Sequence, residues 1–239
     1  MKTKPFISSM KVALFLAVKA ITRGNVGVTV LTVVMLVLAN LSMMFVPSLI
    51  KGLTLSANKK LVDTNSSNII IEARGDNPII TKRDELVARI ESIEGVTAVT
   101  YRSSMGAEIK HDNERVNCMV YGISPGREKE VFTISNYVFE GSYLNERDRG
   151  EILLGVQLAG ADRPEIELYS SSLKHVHAGD RVTVSYANGV TRQYKVKGIF
   201  YCQFLQTDIQ AFVTDVEMSS VNQIGQNRAT SIHVKIADD

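Results

Sequence analysis

The chain has 239 residues, 45% of them hydrophobic and 7% aromatic, with no Trp, two Cys and 27 Lys+Arg against 25 Asp+Glu. This composition excludes a disordered tail, a disulfide-stapled mini-protein and a collagen-like fibre, and leaves room for one large domain or two small ones. Charge is unevenly placed: the first 25 residues hold Lys2, Lys4, Lys11, Lys19 and Arg23 and no acid, leaving 22 basic against 25 acidic residues in the other 214. A short cationic arm is not a nucleic-acid-binding face, which needs its Lys and Arg spread over the surface that meets phosphates.

The arm, residues 1–25, reads as an amphipathic helix. At ~100° per residue, Lys4, Ser8, Lys11, Lys19, Thr22 and Arg23 fall on one arc. Phe6, Ile7, Met10, Ala13, Leu14, Ala17, Val18 and Ile21 fall opposite, with Val12 and Phe15 breaking the polar side. Such a helix lies in the cytoplasmic interface and offers Lys11, Lys19 and Arg23 to anionic lipid or to a cytoplasmic partner. Gly24, Asn25 and Gly27 then supply an elbow. The alternative is one long bent helix from Phe6 to Ile50 with a solvated basic end.

From Asn25 to Ile50 no residue is charged. A membrane-spanning helix needs ~20 apolar residues at ~1.5 Å each to cross ~30 Å of hydrocarbon, so residues 26–50 suffice with some tilt. A cleaved signal peptide is the competing reading, but the run exceeds the ~7–15 residues of such a core and no small-x-small cleavage site follows. The cations before the run put the N-terminus in the cytoplasm and the large remainder outside.

Beyond the span, residues 51–67 continue as a helical stalk, with Leu49, Leu53, Ala57 and Leu61 recurring every fourth position and Lys51, Lys59 and Lys60 able to reach headgroups. Residues 68–239 change period. Asn68–Ala73 reads as a short strand, Thr81–Ile93 as a helix capped by Thr81 and ended by Gly95, and Val96–Tyr101 as a strand, together a β-α-β unit. Ala107–Ser124 reads as a hairpin about His111-Asp112-Asn113, Gly150–Gly155 as a strand, and Asp180–Ala187 with Val190–Phe200 as a hairpin on Asn188-Gly189, a dipeptide suited to a type I′ turn. The outer region is therefore α+β with a β-rich middle.

The usual catalytic constellations are missing. Gly122-Ile-Ser-Pro-Gly126 spells a nucleophile elbow, yet the residue after the nucleophile must offer an N–H to the oxyanion and Pro125 has none. Gly155-Val-Gln-Leu-Ala-Gly160 has the glycines of a phosphate loop without its Lys-Ser/Thr. His111, His175, His177 and His233 have no HExxH or carboxylate spacing around them. Cys118 and Cys202 stand 84 positions apart and read as buried hydrophobes, with a disulfide as the alternative outside the cytoplasm. Asn65-Ser66-Ser67 is a glycosylation sequon on the outer side.

Several segments resemble one family in order. Leu16–Asn25 resembles its elbow, Lys51-Gly-Leu53 and Asn68–Ile71 its stalk and first outer strand, and Ile90-Glu-Ser-Ile-Glu-Gly-Val-Thr-Ala-Val99 its helix-to-strand join. His177-Ala-Gly-Asp-Arg-Val-Thr-Val184, Asn188-Gly189 and Tyr194–Phe200 are similar to its Val-Gly-Asp hairpin ending in Val-x-Gly-Ile. The family is that of the MacB/FtsX-like permeases, from ABC transporters of the macrolide-exporter and lipoprotein-release type. The resemblance implies a membrane subunit that is not itself an enzyme and holds no cofactor or metal. Its implied partners are a cytoplasmic ABC ATPase, a second permease chain and the lipid bilayer, and its cargo a lipoprotein, peptide or drug. It assigns mechanical roles to Lys11, Lys19, Arg23, Gly24 and Gly27 at the elbow, and to Leu49, Leu53 and Leu61 in stalk packing. Two departures stand out. Ala161–Ser172 is longer and more polar than the family's short helix there. The family's three further spans and coupling loop are absent, and Ile232–Asp239 resembles the start of the second outer half, so the outer domain is expected to be incomplete at its C-terminus. A stand-alone anchored binding domain is the alternative.

Overall fold

A computed structural model describes residues 4–74, 79–160, 166–169, 171–222 and 227–237. The chain separates into two compact units, Met1–Ala57 and Asn58–Asp239. α1 (Lys4–Arg23) and α2 (Val26–Leu61, its last turn from Asn58 belonging to the second unit) are separated at Gly24 and Asn25, where the Asn25 side-chain oxygen accepts the Gly27 N–H at 3.0 Å and caps α2. α2 exposes its apolar side chains all round, as a helix solvated by lipid must. It is one helix long and apolar enough to cross a membrane.

The second unit is α+β. β1 (Ile69–Glu72) and β2 (Ile80–Thr81) precede α3 (Arg83–Glu91), which leads into β3 (Val96–His111) and β4 (Glu114–Ile123). α4 (Pro125–Val131) and a 3-10 turn (Ile134–Tyr137) lead to β5 (Val138–Gly141), β6 (Glu151–Gly155) and α5 (Val156–Ala159). The hairpin of β7 (Arg181–Tyr186) and β8 (Thr191–Phe200) follows. Then come α6 (Leu205–Asp208), β9 (Gln210–Thr214), α7 (Asp215–Asn222), β10 (Arg228–Ala229) and β11 (Ser231–Ile236).

One long strand organises the unit. The expected break after Tyr101 does not occur, and β3 runs for 16 residues, because its first half and its second half serve different layers. Val96–Arg102 pairs with β11, which in turn pairs with β1. β1 and β3 are therefore parallel but separated by β11, a split β-α-β arrangement with α3 packed on Val99, Ile232 and Val234. The second half of β3 bonds β4 on one side and β7 on the other. Since β4 pairs with β9, β9 with β6, β6 with β8 and β8 with β7, these strands close a ring. Closure leaves no edge there for another chain to pair with. Its interior holds Ile109, Val120, Ile152, Leu154, Val184, Val196 and Val213, and the hydroxyls of Tyr186 and Tyr194 meet at 2.9 Å inside it.

Both hairpins form where the turn chemistry placed them, with Asp112 at φ 49° and Gly189 at φ 86°. Thr81 does not cap α3: it lies in β2, and Lys82 precedes the helix. The cap comes from far away in sequence, as Asn227 accepts the Asp84 N–H on its side chain at 2.7 Å and the Arg83 N–H on its carbonyl at 3.2 Å.

Candidate functional site at the stalk junction

The α-helical hydrogen bonding of α2 gives way at Val62–Ser66 to one wider, π-helical turn, closed by the Ser67 N–H on the Val62 carbonyl at 3.0 Å. That turn bonds to one element of the outer domain after another. The Asp63 carbonyl accepts the Thr133 N–H at 2.9 Å and its hydroxyl at 3.2 Å. Thr64, fully buried, bonds the Lys60 carbonyl at 2.7 Å and meets the Thr207 hydroxyl of α6 at 3.1 Å. The Asn65 carbonyl accepts from Arg102 of β3 at 3.3 Å, and its side-chain oxygen accepts from Gln210 of β9 at 2.8 Å. The Ser66 carbonyl receives His233 Nδ1–H of β11 at 3.2 Å. One turn earlier, Lys60 Nζ donates to the Cys202 carbonyl at 3.0 Å and the Tyr137 hydroxyl at 3.2 Å. It lies 4.3 Å from the centre of the Tyr137 ring.

Each partner is held from behind. Arg102 and Glu128 form a buried ion pair, with Nε and one terminal nitrogen at 2.9 and 2.5 Å from the same carboxylate oxygen, while Thr100 donates to the other at 3.1 Å. Burial pushes the Glu128 carboxyl up, against the pull of Arg102 and Thr100. Phe132 stacks beside the guanidinium at 4.1 Å. Because a carbonyl can only accept, His233 carries its proton on Nδ1 and takes the Ser231 hydroxyl on Nε2 at 3.0 Å. Burial and then Arg102 depress His233 to about 3, so the ring is neutral at neutral pH. Asp208 receives the N–H groups of Cys202 at 2.7 Å and Phe204 at 3.0 Å, fixing the loop whose carbonyl binds Lys60, and burial raises it to about 6. Gly155 lets α6 approach: a Cβ there would lie 2.2 Å from the Asp208 carbonyl oxygen. That glycine serves packing, and not a phosphate.

Two open clefts flank the turn. One of about 850 Å³ is lined by Asn65, Met119, Tyr121, Ile209 and Gln210, and one of about 450 Å³ by Asn65, Arg102, Tyr121, Ser231 and His233. Asn65 belongs to both, so the sequon asparagine is committed to the junction by its own side chain. Lys60, expected at the headgroups, points instead into the outer domain. Ser124 of the elbow-like motif sits at the start of α4, its hydroxyl donating to Glu146 at 2.9 Å, with Pro125 as the first helical residue. Cys118 and Cys202 are both free thiols, raised by burial, Cys118 to about 12. Among the described residues no group of three or more His, Cys, Asp or Glu could hold a metal ion.

The residues assigned from the resemblance lie elsewhere. Lys11, Lys19 and Arg23 are exposed on α1, with Lys19 Nζ 5.5 Å from the Phe15 ring centre. The side chains of Lys4, Phe6, Ile7, Ser8, Ile21 and Thr22 lie outside those described. Gly24 is in the bend and Gly27 in the first turn of α2. Leu49 and Leu53 are exposed on α2, while Leu61 is half-buried next to the junction. Residues 161–165 and 170 of the polar insertion lie outside the described residues. Sequence reasoning passed over Thr64, Arg102, Glu128 and Asp208 and weighed His233 only as a metal or catalytic candidate; of the five, His233 carries the clearest local signal, a polar side chain between Ile232 and Val234 in β11.

A helix long and apolar enough to cross a membrane, followed in the chain by a mixed α/β domain, defines a membrane-anchored protein. The chain belongs to the MacB-like periplasmic core domain family, whose model matches residues 29–239, and so to the permease subunits of ABC transporters. Among solved structures it is similar to the extracellular domain of the noncanonic ABC-type transporter YknZ from Gram-positive bacteria. That match has 12% identity and TM-score 0.47, and covers 71% of this chain and 82% of the other. The periplasmic region of MacB from Actinobacillus actinomycetemcomitans is similar at 17% identity and TM-score 0.45, covering 71% and 74%. No curated protein matches.

Proposed function

We propose that this chain couples a separate cytoplasmic ATPase to movement of its own extracytoplasmic domain, in a transporter of the exporter or mechanotransmission type that moves a lipoprotein, peptide or drug. The observation that carries this reading is the stalk junction. Asp63, Thr64, Asn65 and Ser66 bond Thr133, Thr207, Arg102 with Gln210, and His233, so the end of the helix grips a loop, a helix and three strands. A shift of the helix end moves the domain with it instead of dissipating in a flexible linker. On the cytoplasmic side, Lys11, Lys19 and Arg23 form the face that meets lipid or partner, and Gly24 and Gly27 the hinge between α1 and α2. The cations ahead of the span orient the N-terminus inward.

The experiment is co-purification from native membranes in mild detergent, with this chain tagged and its companions identified by mass spectrometry. A Walker-motif ATPase at near-equal stoichiometry supports the coupling role. Recovery of envelope proteins alone, or of none, sinks it in favour of an anchored binding domain.

A further inference from the structure

The larger cleft beside the stalk turn holds a hydrogen-bonding pair that the junction leaves unfinished. Gln210, at the start of β9, is 7% exposed and lines the cleft. Its amide nitrogen donates to the Asn65 side-chain oxygen at 2.8 Å, while its own oxygen, enclosed by protein, meets no donor among the described residues. Asn65, whose oxygen is taken, has an amide nitrogen with no acceptor among the described residues. An enclosed acceptor without a donor is held at a cost. With an open donor beside it, the pair is complementary to a group that offers N–H and C=O together.

The rest of the lining selects against charge. Among the described residues no acid lines the cleft, and its one cation, Arg115, is exposed and lies 4.0 Å from Glu108. A cation finds no counter-charge there, and an anion only a solvated guanidinium that already has a partner. Apolar surface stands beside Gln210. Met119, its register partner in β4, is 41% exposed, and Ile209, the residue before it, is 37% exposed. Gly106, opposite Met119 on β3, adds no side chain over the thioether, which can adapt to varied shapes. The volume of about 850 Å³ is that of a cleft for a small ligand.

The chain shows the matching mode of recognition at the rim of this cleft. Gln157 of α5, 2% exposed, donates its side-chain amide to the Glu167 carbonyl at 2.8 Å and accepts the Tyr169 N–H at 2.8 Å. Its neighbour Leu158 lines the cleft, as does Ser171 just beyond Tyr169. A buried glutamine thus holds backbone groups two residues apart, and Gln210 with Asn65 presents the same donor and acceptor at the cleft wall.

We infer that this cleft is a binding site for a short, uncharged peptide. One backbone N–H of the peptide donates to Gln210 Oε1, a carbonyl accepts from Asn65 Nδ2, and an apolar side chain lies against Met119 and Ile209. A turn about the last side-chain bond, a broad torsion in glutamine, opens the enclosed oxygen to the ligand. Phosphates and lipid headgroups find no cationic cradle here, and a hydrocarbon chain brings no donor for Gln210. The inference concerns binding alone and does not rest on the coupling role.

The test is photo-labelling of the full-length chain in lipid nanodiscs with acetyl-Ala-photoleucine-Ala-amide, followed by proteolysis and mass spectrometry. Saturable adducts are expected on Met119, Tyr121 or Ile209, displaced by acetyl-Ala-Leu-Ala-amide. Replacing each inner amide of the competitor in turn by an ester, which lacks the N–H, should weaken competition about 5- to 100-fold for at least one of the two. Met119→Glu, at an exposed position, should cut labelling about tenfold with an unchanged urea midpoint. The ester series is run on the unaltered chain and so needs no variant to fold. Labelling that scatters over the surface or never saturates, esters that compete as well as the amide, or equal labelling of Met119→Glu each overturns the inference. ATPase co-purification bears only on the coupling role, and the two readings fail separately.

Discussion

Replacing Glu128 by Gln tests whether the junction is braced electrostatically. The carboxylate and its Arg102 partner are 1% and 2% exposed in their side chains, so neither can turn to water. Glutamine keeps the acceptor that Arg102 reaches and leaves an NH₂ facing the Thr100 hydroxyl, which can accept. Hydrogen bonds are therefore nearly conserved, and what is lost is the counter-charge of a buried guanidinium. Breaking such a pair costs about 3–5 kcal/mol. With a urea dependence of about 2 kcal/mol/M for a domain of this size, the unfolding midpoint falls by about 1.5–2.5 M. The assay is urea unfolding of the purified full chain in detergent, followed by near-UV circular dichroism of its tyrosines, as the chain has no Trp. The double variant Arg102→Met/Glu128→Leu removes both charges and should recover at least half of the loss, falling short because Asn65 and Thr100 lose their bonds. A midpoint shift below about 0.5 M for Glu128→Gln, or a double variant no better than the single, would refute the reasoning.

Three further expectations follow from the same geometry. Lys60→Met keeps the stem but removes the charge over Tyr137 and the bond to the Cys202 carbonyl; amide exchange at Thr64–Ser66 should quicken about 5- to 30-fold with little change in the global midpoint. Equal exchange in both chains would show that Lys60 does not hold the turn. His233 is depressed to about 3 in the folded chain against 6.5 unfolded, so its neutral form contributes stability that is complete above pH 6.5 and is lost as the pH falls toward 3. The wild type should accordingly lose ground to His233→Gln in urea midpoints taken at pH 7, 5 and 4, and a difference independent of pH would contradict the buried neutral ring. Gly155→Ala places a methyl 2.2 Å from the Asp208 carbonyl oxygen and should cost about 3 kcal/mol or more, whereas Gly52→Ala, with nothing within 4 Å in α2, should be neutral or stabilising; equal midpoints would refute the close approach of α6.

Much of the fold was readable because its signals are local. The charge-free run 26–50, the Asn188-Gly189 turn and the 3.6-residue period of α3 each carry their own cause. The failures concern partners distant in sequence. Thr81 looked like a cap because it stands before an amphipathic run, but Asn227 is the residue that reaches the free N–H of Asp84. β3 was expected to end at Tyr101 but runs on to His111; its neighbour changes from β11 to β7 beyond Arg102, and a change of neighbour leaves only a faint trace in one strand's own residues. The junction was least legible. Lys60 and Asn65 were read as surface residues because lysine and asparagine usually are, and Arg102 and Glu128, 26 positions apart, become meaningful only once the chain between them is folded.

The position of β11 bears on how the protein is made. It lies between β1 and β3, strands completed more than a hundred residues earlier, and it brings His233 and Ser231 to the stalk turn. While the chain is being delivered across the membrane, β1 and the first half of β3 therefore wait with bare facing edges and the socket for Ser66 stands open. The gap between β1 and β3 fills only after β11 has emerged, so assembly runs from the barrel inward to the stalk. A chain stalled before that point would have an anchored helix and a formed barrel with no firm joint between them, and its unpaired edges would be the surface that quality-control factors outside the membrane meet first.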